Sequence, residues 1–424
     1  MSDRVSDHGS GPTGPVPGLP VRTDWSGWAD QACRVVEAAG QWRRPRTFDA
    51  SGPAGLLEGG GGEALPVVSF ASNDYLGLAS HPDVVAAAHD ALDRWGAGSG
   101  ASRLVTGSRP VHAELEGAIA SWKRCERTVV LSTGFAANLA VLSVFGTEGA
   151  EVFSDELNHA SIIDGCRMAR APVTVYPHGD IDRLDAALAT SGGRPIVVSD
   201  TVFSMDGDAV DLDGLVEVAG RHGALLVLDE AHAVLGPELR LNGAHVPDIL
   251  RVGTLSKTLG SLGGFVAGPA RFVELLINRA RPYIFTTAPT PADAAAALAA
   301  VRVVRSDEGR ELCARLAHHV ARVVAAVGRG GHHPSPIVPV IVGDEADAIR
   351  ASSDLLAAGL WVPAIRPPTV PPGTSRLRIT LSAAHTDEQV DRLVDGLPGA
   401  VGLAGAKVGA SVPVDGRDRD GGAP

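Results

Sequence analysis

Two segments decide the fold: LLVLDEAH at 225–232 and TLSKTLG at 254–260. In the first, the apolar run 225–228 leads straight into Asp229, Glu230 and His232. An apolar run without polar alternation reads as a strand buried on both faces, as in a parallel sheet. A carboxylate at the end of such a strand is costly unless a donor or a positive group meets it. The second segment sets Lys257 among small and hydroxyl residues, with Gly260, Gly263 and Gly264 close by. A lysine that acts as a nucleophile needs partial desolvation, so that its amine is neutral. Small neighbours let a planar group approach it. Taken singly, Asp229 reads as well as a satisfied strand cap, and Lys257 as an ordinary loop lysine. Their placement on adjacent strand–loop units points to a shared site.

The letters D-E-A-H also match the Mg²⁺-binding box of a helicase. That chemistry needs an upstream G-x-x-x-x-G-K-[ST] phosphate loop. The chain has none, and the lysine of TLSKTLG lies downstream of the acidic box.

Outward from these segments, strand candidates fall at 128–131, 195–199, 224–228, 250–254 and 264–267, with helix candidates at 135–145, 181–190, 212–222 and 292–305. This alternation predicts an α/β fold with a mostly parallel sheet covered by helices. After about residue 290 the rhythm changes. A long helix (308–327) precedes IVPVIVG (337–343), the helix EADAIRASSDLLAAG (345–359), WVPAIRPP (361–368), SRLRITLS (375–382) and a last helix from Thr386. That order, β-α-β-β-α, predicts a smaller C-terminal α+β domain. The expected organisation is a disordered tail (1–24), an N-terminal helical segment with a flexible Gly-rich loop at 51–64 (25–69), a large domain (70–290), a small domain (291–398) and a second disordered tail (399–424). Ligand sites in such folds lie at the carboxyl ends of the sheet strands.

Composition narrows the function. The chain of 424 residues is 45% hydrophobic and carries 37 basic against 49 acidic residues, a net charge of −12. That balance speaks against an electrostatic grip on nucleic acid or an anionic membrane. Cys33, Cys125, Cys166 and Cys313 lie far apart, without the spacing of a metal site or a disulfide scaffold. No metal is expected. The first twenty residues lack the apolar core of a signal peptide, and no apolar run is long enough to span a bilayer, so a cytoplasmic protein is expected.

A third motif, STGFAANLAVL (132–142), joins a strand end to a helix start through Gly134 and Phe135. Backbone N–H groups at such a start can hold a phosphate. The glycine-rich run at 96–100 lacks the preceding strand and the spacing of a dinucleotide fingerprint.

With these motifs in place, the chain resembles the α-oxoamine synthase family of fold-type-I pyridoxal phosphate (PLP) enzymes over residues 28 to 397. The matching segments run in order: FASNDYLGLASHP (70–82), GSGASRLVTGS (98–108), STGFAANLAVL, DELNHASIIDGCR (155–167), TVFSMDGD (201–208), LVLDEAH, TLSKTLGSLGGFVAG (254–268) and RPPTVPPGTSRLRITLSAAHT (366–386). The stretch AVLGPELRLNGAHVPD (233–248) departs from the Gly-rich pattern of the family.

The resemblance implies roles. Lys257 would hold PLP covalently, and Asp229 would keep its ring nitrogen protonated. His232 and Ser204 would hydrogen-bond the phenolic oxygen, and His159 would stack on the ring. Gly134, Phe135 and Thr254 would serve the phosphate or the ring edge. Thr286 and Thr287 would reach a neighbouring subunit's phosphate, which implies a homodimer with shared sites. Arg378 and Asn73 would take the amino-acid carboxylate. Thr369 and an N-terminal arginine, Arg43 or its neighbours Arg44 and Arg46, would meet the rest of the substrate. The last segment most resembles the biotin-pathway branch, which implies condensation of L-alanine with pimeloyl-CoA or another pimeloyl thioester. Glycine with acetyl-CoA is the alternative within the family, and a weakly active PLP-binding protein is the alternative outside it.

Overall fold

The structure is a computed structural model that describes residues 24–58, 63–241, 245–328, 331 and 333–402. The expected tails at 1–24 and 399–424 lie almost wholly outside the described residues. Where described, their inner edges are ordered: Asp24 caps the helix Trp25–Ala38, and the helix Asp387–Val401 runs past residue 399.

Seven strands form the central sheet, in the order Arg127–Leu131, Gly264–Gly268, Ile249–Thr254, Leu225–Asp229, Arg194–Asp200, Ala150–Asp155 and Val173–Tyr176. Gly264–Gly268 runs antiparallel to both its neighbours, and the other neighbouring pairs are parallel. The expected parallel α/β sheet is present, with one antiparallel strand and with two strands, Ala150–Asp155 and Val173–Tyr176, that periodicity did not single out. Val197, Val198, Leu226, Val227 and Leu228 are buried, as a strand covered on both faces requires. The parallel register sets Asp200 directly beside Asp229 at one edge of the sheet. Asp155 ends the next strand at that same edge.

The expected loop at 51–64 is corrected. Ala54–Glu58 pairs antiparallel with Ala64–Ser69, with residues 59–62 outside the described part. Leu57, Val67 and Val68 supply the buried face that makes this a hairpin. The hairpin belongs to the C-terminal unit in space, because Ala64–Ser69 pairs in parallel with Leu360–Trp361. The second small sheet orders Ile337–Gly343, Ser375–Thr380 and Ala364–Ile365 antiparallel. The segment WVPAIRPP therefore splits between two sheets at Pro363. The helix Pro291–Val304, rich in alanine, is buried along its length and packs on the helices Pro82–Trp95 and Pro110–Lys123. No helix among the described residues is long and apolar enough to cross a membrane.

Candidate active site

The carboxyl ends of the parallel strands and the loops after them bring the motifs together. Asp229 closes its strand with its carboxylate buried. Its Oδ2 accepts a 2.7 Å hydrogen bond from Asn138 Nδ2, and its Oδ1 accepts one of 2.9 Å from the Ala231 N–H. Among the described residues it has no ion-pair partner, so a buried negative charge is left for a cationic donor. Asn138 also donates to Ser161 Oγ at 2.9 Å, while its own amide oxygen is buried without a partner in the structure.

On the loop after the adjacent strand Ile249–Thr254, Lys257 Nζ lies 2.8 Å from His232 Nε2. Burial lowers the pKa of Lys257, against the charges of Asp229 and Asp200, which raise it; Arg378 adds to the lowering. This is the setting a nucleophilic amine needs. Burial likewise drives the pKa of His232 well below the usual histidine value, helped by Lys257, Arg378 and His159. His232 is therefore neutral.

Gly134 opens the helix Gly134–Phe145, and Thr133 caps it by accepting the Ala136 N–H at 3.0 Å. A Cβ on Gly134 would stand 3.2 Å from Thr254 Cβ, so glycine keeps the helix start against the Thr254 loop. Thr254 Oγ1 is 2.7 Å from Ser256 Oγ and donates to the Gly263 carbonyl at 3.1 Å. Phe135 is exposed at the same end. His159 caps the helix Ala160–Met168, with its backbone N–H on Asp200 Oδ2 at 2.7 Å and its Nδ1 2.7 Å from Ser161 Oγ. Desolvation holds its pKa below the usual value.

The small domain delivers Arg378. Its Nε donates to the Ser204 carbonyl at 2.6 Å, its Nη1 to Thr380 Oγ1 at 2.9 Å and its Nη2 to Asn73 Oδ1 at 3.3 Å. Arg376 pairs with Asp206 on the same loop. His178, set between Asp155 and Asp208, fastens that loop to the large sheet.

Most of the residues expected from sequence thus converge: Lys257, Asp229, His232, His159, Gly134, Thr254, Asn73, Arg378 and Ser204. Ser204 meets Arg378 through its backbone carbonyl. Thr369 is exposed, and its N–H closes a turn onto the Arg366 carbonyl. Arg43 is exposed and touches none of these residues, but Arg366 Nη1 donates to the Gly40 carbonyl at 2.7 Å, which draws the N-terminal segment to the Thr369 loop. Thr287 is exposed next to exposed Phe285, and among the described residues no hydrogen bond joins Thr286 or Thr287 to this cluster.

Sequence reading missed Asn138, Ser161, Asp200 and Tyr75. For Asn138 the signal was present, a lone amide in the apolar helix GFAANLAVL. Tyr75 gave none, because a buried tyrosine reads as core.

The chemistry fits PLP. A buried carboxylate without a cationic partner suits a protonated ring nitrogen, a desolvated lysine suits a carbonyl, and a capped helix start suits a phosphate.

Residues 66–397 match the family described as aminotransferase class I and II. The chain belongs to that family. Within it, the 8-amino-7-oxononanoate synthase of Bordetella petrii is 46% identical over 384 residues, covering 87% of this chain and 96% of that protein. The protein of the same name from Anaeromyxobacter dehalogenans is 48% identical over 381 residues, covering 86% and 93%. Among solved structures, the serine palmitoyltransferase of S. paucimobilis, with bound PLP, superposes with a TM-score of 0.80 at 30% identity, covering 90% of this chain and 100% of that one. The family membership, the fold type and the PLP cofactor expected from sequence are borne out.

Proposed function

We propose that this family member condenses L-alanine with a pimeloyl thioester, releasing CO₂ and the thiol and giving 8-amino-7-oxononanoate. One observation carries the choice within the family: identity is 46–48% to relatives named for that reaction, against 30% to the serine palmitoyltransferase of similar fold. Bound PLP supplies an electron sink for negative charge at the amino-acid Cα.

The chain's residues do the rest. Asp229, held by Asn138, keeps a proton on the ring nitrogen. Lys257 anchors the cofactor and then serves as base, its Nζ taking the proton from the alanine Cα; burial keeps that amine ready to accept it. His232 and Ser204 would hold the phenolic oxygen, and His159 would lie against the ring. Backbone N–H groups at Gly134 and Phe135, with Thr254, would receive the phosphate. Arg378 and Asn73 orient the alanine carboxylate. Thr369 and one of Arg43, Arg44 and Arg46 would flank the acyl chain.

The assembly is a homodimer in the cytoplasm. In support, among the described residues neither Thr286 nor Thr287 hydrogen-bonds to its own protomer's cluster, and Thr287 is exposed. Exposed Leu104, Val105 and Phe285 add apolar surface on two segments joined by the Ala288 N–H to Ala101 carbonyl bond.

The test is a matrix of amino acids against acyl-CoAs, scored for free thiol. L-Alanine with pimeloyl-CoA should give the highest kcat/KM. A methyl group in a pocket is worth only about 1–3 kcal/mol, so some glycine turnover is expected. Preference for glycine with acetyl-CoA would overturn the proposal and leave the family membership intact.

A further inference from the structure

An unbroken line of side chains joins Lys257 to the small domain. Lys257 Nζ is 2.8 Å from His232 Nε2, and His232 Nδ1 is 2.5 Å from Tyr75 Oη. Tyr75 Oη is 3.1 Å from Asn73 Oδ1, which also accepts from Arg378 Nη2. Tyr75 is 0% and His232 4% exposed, so water cannot replace a lost partner cheaply.

Few protons are available along this line. A neutral imidazole has one N–H, on Nδ1 or Nε2, and a phenol has one O–H. His232 is neutral, and burial holds the Tyr75 phenol protonated by pushing its pKa up. Asn73 Oδ1 only accepts. Two arrangements satisfy every group. In one, Tyr75 donates to Asn73 and accepts from His232 Nδ1–H, which leaves Nε2 as an acceptor for an N–H of the Lys257 amine. In the other, Tyr75 donates to His232 Nδ1, which puts the imidazole proton on Nε2 as a donor for the lone pair of the Lys257 amine or for an anionic oxygen.

We propose that Tyr75 is a positioning residue that sets the tautomer of His232: Nδ1–H while Lys257 is a free amine, and Nε2–H once the cofactor's phenolic oxygen lies beside that nitrogen. The first half needs only the residues of this chain, and the second rests on the cofactor reading above. One hydroxyl proton thereby links the carboxylate clamp to the lysine, because a Tyr75 that turns to His232 leaves Asn73 to Arg378 alone.

The test is ¹⁵N NMR of histidine-labelled protein, with the His232 signals assigned by their loss in His232→Gln. In the apoprotein the proton should sit on Nδ1, and addition of PLP should move it to Nε2. In Tyr75→Phe an Nδ1–H would be buried without an acceptor, so the proton should sit on Nε2 with or without PLP. Asn73→Ala removes the competing acceptor and should give Nε2–H in the apoprotein; this arm decides if Tyr75→Phe does not fold. An apoprotein of either variant that keeps Nδ1–H overturns the proposal. So does a wild-type tautomer unmoved by PLP in a sample whose visible absorbance shows the cofactor bound. Absence of that absorbance would instead count against the cofactor reading, and the apoprotein comparison would still decide the role of Tyr75.

Discussion

Asn138 Nδ2 donates to Asp229 Oδ2 at 2.7 Å, from the helix that follows the first strand of the sheet to the end of the strand two places beyond its antiparallel neighbour. The bond fixes the carboxylate plane while leaving its charge uncompensated. Asp229→Asn keeps the shape and removes the charge. Exchange of the alanine Cα proton should slow by at least ~100-fold, the scale of losing a directed electrostatic stabiliser. Exchange near the parent rate would make Asp229 a strand cap and nothing more.

The chain's lysines are Lys123, Lys257 and Lys407. Lys123 is spoken for: it pairs with Glu230 at 2.7 Å and lies over the Trp122 ring. Borohydride reduction of the PLP-loaded protein should therefore place the pyridoxyl group on Lys257. Peptide mapping that found it on Lys123 or Lys407 would dismantle the site.

Arg378→Lys keeps the charge but cannot reach the Ser204 carbonyl, Thr380 and Asn73 together. The loss of charge-assisted hydrogen bonding is on the order of 1.5–3 kcal/mol, so KM for alanine should rise about ten- to a hundredfold. Steady-state kinetics with alanine varied checks this. A fall in kcat alone would assign Arg378 to a later step.

Much of the site was legible because Asp229 and Lys257 each stand at or just beyond the end of a strand recognisable from its apolar residues. LLVL ends at Asp229, and TLSK follows 250–254, so the strand reading and the site reading are one inference. The hairpin at 54–69 was not legible, because a glycine run broke its alternation and its parallel partner, Leu360–Trp361, lies far along the chain. Asp200 was hidden for a related reason. Its neighbour across the sheet is Asp229, and strand order cannot be read from local pattern. Tyr75 acquires its meaning from His232, 157 residues away.

Stability should depend on pH through His385, buried at the seam between hairpin and small domain and stacked on Phe70 with ring centroids 4.4 Å apart. Its Nε2 lies 3.0 Å from the Ser69 carbonyl. Burial lowers its pKa from 6.5 to about 4. Between those values the unfolded chain binds the proton and the folded chain does not, so stability rises with pH. On acidification from pH 6.5 to 4 the fold should lose on the order of 3 kcal/mol from this group. Denaturant midpoints across that window, compared with His385→Gln, should show a shallower acid slope in the variant; equal slopes would remove His385 as the source.

The most direct measurement of the whole account uses L-alanine labelled at its carboxyl carbon, incubated with PLP-loaded protein and pimeloyl-CoA. The label should leave as CO₂ in step with free thiol, and the product should keep the amine and the methyl carbon of alanine. Label retained in the acylated product, or thiol released without labelled CO₂, would contradict it.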